Sequence, residues 1–269
     1  MTRSTYLILT CLVTMLLPTS PTAKDLSGNI DPRIQTCKIP NEIISPRIDR
    51  NWQNQVNRRA PVDFYILALS WSPAYCSRLR SNRRAYRSPI QCKAENHFGF
   101  IVHGLWPSNS RARSSKDHPR YCRRPDKPLN EALIRRHLCS IPDVSLMQRQ
   151  WDAHGSCGRW KTAEGYFKSI EHLLFNLTKG RPLPDLEALL GRSNRLTERI
   201  IKQAFIRLNA ELRANMIVLK QRNAVLTEVR ICYDRLWKFT PCPARLQTNT
   251  GSVKRRANQG IRIIRRARS

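Results

Sequence analysis

At 269 residues, the chain is long enough for one sizeable domain with extensions. A hydrophobic content of 41% allows a substantial core and excludes a disordered chain. The 48 Lys and Arg against 19 Asp and Glu give a formal charge of +29, which predicts a polyanionic partner. Nucleic acid, an anionic membrane surface and an acidic glycan all meet that description, and charge alone does not choose among them.

Residues 1–23 are typical of a secretory signal peptide. Arg3 precedes an apolar run from Tyr6 to Leu17, and a short segment follows up to Ala23. The run is shorter than the roughly 20 residues that span a bilayer, and no later stretch is long and apolar enough, so we expect no stable membrane insertion. The sequence therefore predicts a secreted or periplasmic protein.

The first half of the mature chain alternates apolar runs with basic loops. Residues 24–60 read as a loose polar extension, and the apolar run at 63–71 predicts a central strand. Residues 77–93 carry six basic residues and no acid, which predicts a solvated loop. A second buried strand is expected from His97 to near Gly104, followed by another basic loop.

The second half adds helices and a closing hairpin. Residues 145–155 predict a helix, with Ser145 and Gln148 as a capping box and Gly155 just after its end. Two more helices follow from the periodicity of residues 164–178 and 197–212, and two strands at 224–234 and 236–242 look like a β-hairpin.

These elements predict one α+β domain over residues 61–245. Its central antiparallel or mixed sheet should have helices packed against it and disulfides to stabilise it. Residues 246–269 read as a basic tail. From Gly251 onward this tail has seven Lys and Arg, no acid and little to pack.

Eight cysteines remain once Cys11 is assigned to the signal peptide, and an even number predicts four disulfides. Cys76 and Cys92 bracket the first basic loop, and Cys232 and Cys242 bracket the turn of the closing hairpin. The chain has no Cys-x-x-Cys pair, which disfavours a zinc site. We expect no metal and no cofactor.

Two histidines each directly precede a glycine and lie three residues from a tryptophan: His103 with Trp106, and His154 with Trp151. Histidine exchanges protons near neutrality, so two of them facing one phosphodiester can cleave RNA without metal. A tryptophan can also stack on a base. Each of these residues, taken alone, is more often a packed structural residue, and basic runs are more often solvated faces. Residue types alone therefore leave both interpretations open.

Three segments together resemble the ribonuclease T2 family: "FYILALSWSPAYC", "FIVHGLWPS" and "QWDAHGSCG". The resemblance covers roughly residues 63–243. It implies an endoribonuclease that cleaves single-stranded RNA through a 2′,3′-cyclic phosphate, with His103 and His154 as the general acid–base pair. It does not decide which histidine is the acid and which the base.

The resemblance also implies roles for individual residues. Trp106 matches the tryptophan that stacks on a bound base. Cys157 matches a cysteine that is bridged to one shortly after the first histidine segment, which here is Cys122. By elimination, Cys37 then pairs with Cys139.

Three positions depart from the family pattern. Gln150 replaces a glutamate, Ala153 a lysine and Arg149 a histidine. Gln150 can donate a hydrogen bond to a phosphate oxygen and Arg149 can bind phosphate bidentately, whereas Ala153 offers no polar group. We therefore expect a weakened site that binds RNA with Trp106, Arg149 and Trp151. The alternative is a catalytically weak or inactive secreted homologue that binds RNA or another polyanion. We expect a monomer in either case.

Overall fold

The computed structural model describes residues 37–50, 52–81, 90–93, 95–248 and 260–266, all within the compact unit of residues 33–269. The expected signal peptide lies outside the described residues, as do the beginning of the polar extension and part of the basic tail. Helices and strands are therefore discussed only for the described part of the chain.

The described residues contain six strands and six α-helices, besides short 3₁₀ turns. The strands are β1 (Phe64–Trp71), β2 (Phe100–Ser108), β3 (Arg195–Leu196), β4 (Ile217–Arg222), β5 (Val225–Tyr233) and β6 (Ile261–Arg262). The helices are α1 (Ser72–Ser81), α2 (Glu131–His137), α3 (Val144–Ala153), α4 (Ala163–Thr178), α5 (Glu198–Ile206) and α6 (Ala244–Thr248).

All six strands form one mixed sheet, so the expected α+β fold is confirmed. The strand order is β2-β1-β5-β6-β3, and β4 pairs with β5. The pairing is antiparallel except between β5 and β6, which are parallel. The central position of β1 explains its near-continuous apolar sequence, because residues on both faces of this strand are buried.

The two faces of the sheet differ in what covers them. Alternate residues of β1 belong to the large core that the helices share: Tyr65, Leu67, Leu69 and Trp71. The opposite face carries a smaller apolar cluster around Phe64 and Ile66, against which Trp106 packs. The rest of this second face, which we call the open face, carries polar side chains.

The predicted strands are partly wrong in their ends and partners. β2 continues to Ser108 instead of ending near Gly104. β5 pairs with β4, not with residues 236–242, of which Phe239 forms an isolated bridge. The β4–β5 turn explains the mistake. Asn223 and Ala224 both have positive φ (51° and 61°), as in a two-residue hairpin turn, but the second position lacks the glycine that usually signals such a turn.

The predicted helix ends also need correction. α3 begins at Val144, because the Asp143 side chain accepts the backbone N–H of Leu146 at 3.0 Å, so the capping box assigned to Ser145 is wrong. α3 ends at Ala153, and a 3₁₀ turn starts at residue 155. In addition, α1 occupies the start of the predicted loop at 77–93, and α5 ends at residue 206 rather than 212.

The described part of the polar extension is held against the domain. The backbone carbonyl of Pro40 accepts a 3.0 Å hydrogen bond from Arg135, and Asp49 accepts one of 2.6 Å from the Tyr121 hydroxyl. The disulfide of Cys37 adds a covalent tie. From residue 37 onward, the extension is therefore a packed part of the structure.

The end of the chain enters the sheet as β6. Ile261 and Ile263 are each 1% exposed, and the indole N–H of Trp71 donates to the carbonyl of Ile264 at 2.8 Å. The expectation that the tail has little to pack is wrong for residues 260–266. Buried isoleucines alternate with Arg262, which is the two-residue period of a strand.

Four disulfides connect the described residues, in the pairing that the sequence analysis expects. The bonds are Cys37–Cys139, Cys76–Cys92, Cys122–Cys157 and Cys232–Cys242. Cys122–Cys157 joins the loop after β2 to the turn that follows α3. None of the helices in the described part of the chain combines the length and apolar character needed to cross a bilayer.

Candidate active site

The strand that carries His103 contains a β-bulge at this histidine. Val102 and Gly104 pair with consecutive residues of β1, which leaves His103 as an extra residue in the register. Residues three apart in a regular strand point to opposite faces of a sheet. Because the bulge inserts one residue and shifts this alternation, His103 and Trp106 both project from the open face.

Trp106 contacts both histidine rings. Its ring centroid lies 5.1 Å from that of His103, in an edge-to-face arrangement, and 5.5 Å from that of His154. The guanidinium carbon of Arg230 lies 4.7 Å from the centroid of the tryptophan. Side chains from β2, β5 and the end of α3 thus meet around one indole ring.

His103 has an acidic partner in Glu228 of β5. Its Nδ1 lies 2.6 Å from the Oε2 of Glu228, and the other carboxylate oxygen accepts a 2.6 Å hydrogen bond from Arg230. Burial raises the pKa of Glu228, but the hydrogen bond and charge of His103, together with Arg230, outweigh burial and lower the pKa to about 2. Glu228 is therefore an anion at neutral pH, and Nε2 is the ring nitrogen of His103 left to exchange a proton.

His154 lies in a different environment, at the end of α3. Its Nδ1 is buried and has no hydrogen-bond partner among the described residues. Burial lowers the pKa of His154 well below its usual value, and the charges of Arg120 and His103 lower it further. His154 is consequently neutral near pH 7, which is the form that accepts a proton.

Gly104 allows α3 to pack directly on β2. A Cβ at this position would lie 2.0 Å from Oε1 of Gln150 and 2.9 Å from Nε1 of Trp106. The same Oε1 accepts a 2.7 Å hydrogen bond from the indole N–H of Trp106. Gln150 is 3% exposed. Gln150 therefore supports Trp106 through its Oε1, and its hydrogen bond to a phosphate oxygen stays a prediction.

Gly155, in the second histidine segment, also allows a close approach. A Cβ there would lie 2.4 Å from Cε3 of Trp151 and 3.0 Å from Cγ of Tyr166. In each His-Gly pair, the glycine thus follows a candidate site histidine and has no room for a side chain, because another residue fills the space.

The part of the chain that forms this site matches a known protein family. The family model described as "Ribonuclease T2 family" matches residues 62–242. The chain belongs to the ribonuclease T2 family. A "Probable ribonuclease" of Haemophilus influenzae is 39% identical over 202 residues, which cover 74% of this chain and 67% of that protein. The chain is accordingly a T2-type endoribonuclease.

Other relatives are more distant. A "Ribonuclease" of Aeromonas hydrophila is 33% identical over 95 residues, covering 35% of this chain and 37% of that protein. Among solved structures, the self-incompatibility associated SF11-RNase of Nicotiana alata superposes with a TM-score of 0.52. It is 17% identical and covers 77% of this chain and 100% of that one. At that identity the likeness shows the fold alone.

Arg149 and Trp151, the other two residues expected to bind RNA, line different pockets in this T2-type chain. Arg149 is exposed and lines a cleft together with His103. Trp151 instead packs at 6.1 Å from the Tyr166 ring, lies under the guanidinium of Arg123 at 5.1 Å, and lines a separate pocket. The expectation that Trp151 binds substrate beside Trp106 is therefore not supported by its position.

The departure at Ala153 has a structural counterpart. Ala153 is 1% exposed, and its carbonyl accepts the backbone N–H of Tyr121 at 3.0 Å, which brings the loop after β2 against α3. Arg120 precedes Tyr121 on this loop, and its charge acts on His154. A cation thus reaches the second histidine from the loop, although α3 provides none at position 153.

Sequence reasoning missed Glu228, Arg230 and the supporting Tyr166. The Tyr166 hydroxyl donates to the carbonyl of Leu105 and accepts from its N–H, both at 3.1 Å, which satisfies the backbone of β2 next to the bulge. A signal for Glu228 and Arg230 exists. They are charged residues two apart in an otherwise largely apolar strand, so they share one face.

Proposed function

We propose that this endoribonuclease cleaves single-stranded RNA by transphosphorylation, with His103 and His154 as its acid–base pair and without a metal. The 2′-oxygen forms a bond to the adjacent phosphorus, and the bond from phosphorus to the 5′-oxygen breaks. The products are a 2′,3′-cyclic phosphate and a 5′-hydroxyl. The observation that carries the proposal is that both histidine rings contact the ring of Trp106.

The surroundings of the two histidines support opposite roles. His154, kept neutral by burial and by nearby cations, takes the proton of the 2′-hydroxyl. His103 gives a proton to the departing 5′-oxygen, and the Glu228 carboxylate 2.6 Å away compensates the positive charge of the protonated ring. This arrangement follows the general principle that paired acid and base groups need environments that differ.

Other residues bind and orient the substrate. Trp106 offers an aromatic face on which a base stacks, an interaction worth about 1–3 kcal/mol. The charges of Arg120, Arg149 and Arg230 attract the phosphate as negative charge develops on it in the transition state. The four disulfides fit an oxidising compartment, and with the N-terminal signal they support secretion or export to a periplasm.

The decisive experiment is cleavage of single-stranded RNA by the purified protein in EDTA, followed by analysis of the fragment ends. We expect 2′,3′-cyclic phosphate ends, and no cleavage of the same oligonucleotide with a 2′-deoxy residue before the cleavage site. Ends with a 3′-hydroxyl and 5′-phosphate, or an absolute requirement for metal, would contradict the mechanism.

A second function, RNA binding with little or no catalysis, rests on one observation. In α3, the Oε1 of Gln150 accepts from Trp106 and Ala153 is buried, so neither position offers the phosphate a charged group. In the same experiment this alternative predicts tight RNA binding without cleavage, and no difference in binding between the native protein and a variant that lacks both histidines.

A further inference from the structure

The open face continues beyond His103 into a cleft of about 850 Å³. Six basic side chains from five helices and strands line it: Arg78, Arg149, Lys220, Arg222, Arg230 and Arg262. The lining also includes two acids, and both are engaged. Asp143 caps α3, and Glu228 is paired with His103. The cleft is therefore strongly positive along its length.

A row of arginines crosses the sheet at the far end of this cleft. In the register, Arg222 of β4 is opposite Val225 of β5, Val225 is opposite Arg262 of β6, and Arg262 is opposite Arg195 of β3. Residues that pair across strands project from the same face, and neighbouring strands are about 4.8 Å apart. The buried neighbours Ile261 and Leu196 point to the core, so the arginines point to the open face.

The fold offsets this clustering of positive charge only in part, through a 2.7 Å hydrogen bond that the Arg195 guanidinium donates to the backbone carbonyl of Gly260. Like charges directly opposite each other in a sheet repel, and Arg195 faces Arg262 in this way. The Arg262 guanidinium has neither a hydrogen bond nor an ion pair to any residue that the structure describes. Arg266, four residues later, is in contrast paired with Asp185 at 2.7 Å and with Glu187 at 3.2 Å. The same segment thus neutralises one arginine and leaves another facing outward.

We propose that Arg222, Arg262 and Arg195 bind backbone phosphates of the RNA beyond the one that is cleaved. The proposal rests on the proposed function, because it assigns the same RNA strand to this row. The row shares its face with His103, and Arg222 and Arg262 line the same cleft as His103. Arg262 lies outside residues 62–242, so the end of the chain adds this contact to the family domain.

The test compares Arg262→Ala with Arg265→Ala. Both substitutions remove one positive charge from the same segment, but Arg265 is not in the row or the cleft, and its guanidinium contacts the carbonyl of Gly191. The probe is a fluorescent single-stranded DNA homopolymer, which lacks the 2′-hydroxyl and cannot be cleaved. Its Kd is measured over a series of salt concentrations, with thermal unfolding as a check on folding.

We expect Arg262→Ala and Arg222→Ala each to raise Kd about 2- to 5-fold, the range of a single exposed ion pair. Each should also make the slope of log K against log salt concentration shallower by about 0.7. Arg265→Ala should change neither quantity. If Arg262→Ala and Arg265→Ala behave alike, the effect is one of net charge and the row is not a binding site.

A kinetic measurement distinguishes this proposal from the proposed function. For a long RNA, Arg262→Ala should lower kcat/KM, whereas for a dinucleoside monophosphate, which has no further phosphate, kcat/KM should be unchanged. An equal loss on both substrates would overturn the row as a distal site. If the arginine row does not bind phosphates, the short substrate is still cleaved. If the proposed catalytic mechanism is wrong, the effect of Arg262→Ala on DNA binding is unchanged.

Discussion

The two histidines of the site reach the same tryptophan from contrasting surroundings. His103 sits on a bulge in β2, an edge strand of the sheet, and has a buried carboxylate 2.6 Å from its ring. His154 ends a helix, and its buried Nδ1 has no hydrogen-bond partner among the described residues. His103 therefore has a negatively charged partner, whereas the Nδ1 of His154 has no partner among the described residues. This asymmetry teaches that a fold can give two identical side chains different electrostatic surroundings, which is what the proposed acid and base roles require.

The largest expected effect tests whether both rings are needed. His103→Ala and His154→Ala should each lower kcat on RNA by about 10²- to 10⁴-fold, because each removes one proton-transfer partner. The matched control is His172→Ala, an exposed histidine of α4 that is hydrogen-bonded to Asn176. If either site variant retains near-native kcat, that histidine is structural, and the two rings are not an acid–base pair.

The next effect isolates the counter-charge of His103. Glu228→Gln should lower kcat by about 10- to 100-fold, because it removes the charge that orients and compensates the His103 ring; the range is that known for outer-shell partners of metal-bound histidines. Glu171→Gln is an unusually close control, since Glu171 also lies 2.6 Å from a histidine Nδ1, that of His137, away from the site. Equal losses in the two variants would point to folding rather than catalysis.

The same substitution should change the dependence of stability on pH. The pKa of Glu228 is lowered from 4.5 to about 2, so the folded state favours the anion. That stabilisation is present above pH 4.5 and is lost as the pH falls from 4.5 toward 2. Glu228→Gln should therefore flatten the fall in the free energy of unfolding over this range, as measured by urea denaturation. An unchanged slope would mean that the folded state does not lower the pKa of Glu228.

A smaller effect concerns the packing that joins the two histidine segments. Gly104→Ala would place a methyl group 2.0 Å from Oε1 of Gln150 and should destabilise the fold by about 1–3 kcal/mol. It should also disturb the hydrogen bond that holds Trp106, and so weaken base stacking. Gly191→Ala, where a Cβ meets nothing within 4 Å, is the control. Native stability and native kcat/KM in Gly104→Ala would contradict the direct packing of α3 on β2.

The smallest expected effect tests how His154 is kept neutral. Arg120→Gln removes the largest charge effect on this ring, so the pKa of His154 should rise toward its usual value. The acid limb of the kcat/KM profile should move to higher pH, by less than about one unit, since a partly exposed charge contributes about 1 kcal/mol or less. Arg123→Gln, on the same loop but over Trp151, should not move it. A shift of this limb to lower pH would contradict the assignment of His154 as the base.

Local sequence patterns were sufficient for parts of this architecture. The apolar run of β1 and the helical periodicity around residues 164–178 predict the central strand and α4, because these elements bury residues at regular spacing. Both histidine segments stand out by composition, and the bracketing of short segments by cysteines suits Cys76–Cys92 and Cys232–Cys242. Each of these inferences uses residues close together in the chain.

Features that depend on distant residues were not predictable in this way. Glu228 is 125 residues from His103, and only the β1–β5 register brings them together. A bulge leaves no compositional mark, so β2 was expected to end near Gly104. The position of Gln150 against Trp106 was not predictable for a similar reason. Its contact with Trp106 spans 44 residues and needs the close packing that Gly104 permits.

The bulge at His103 has a consequence for what the fold requires. Val102 and Gly104 already pair with consecutive residues of β1. A chain without His103 would therefore form an uninterrupted strand, with Leu105 still in the core and Trp106 still on the open face. The register of β1 and β2 therefore does not require His103, whose side chain instead pairs with Glu228 on the open face. Deletion of His103 is thus expected to keep the pairing of β1 with β2 while removing one of the two proposed proton-transfer groups.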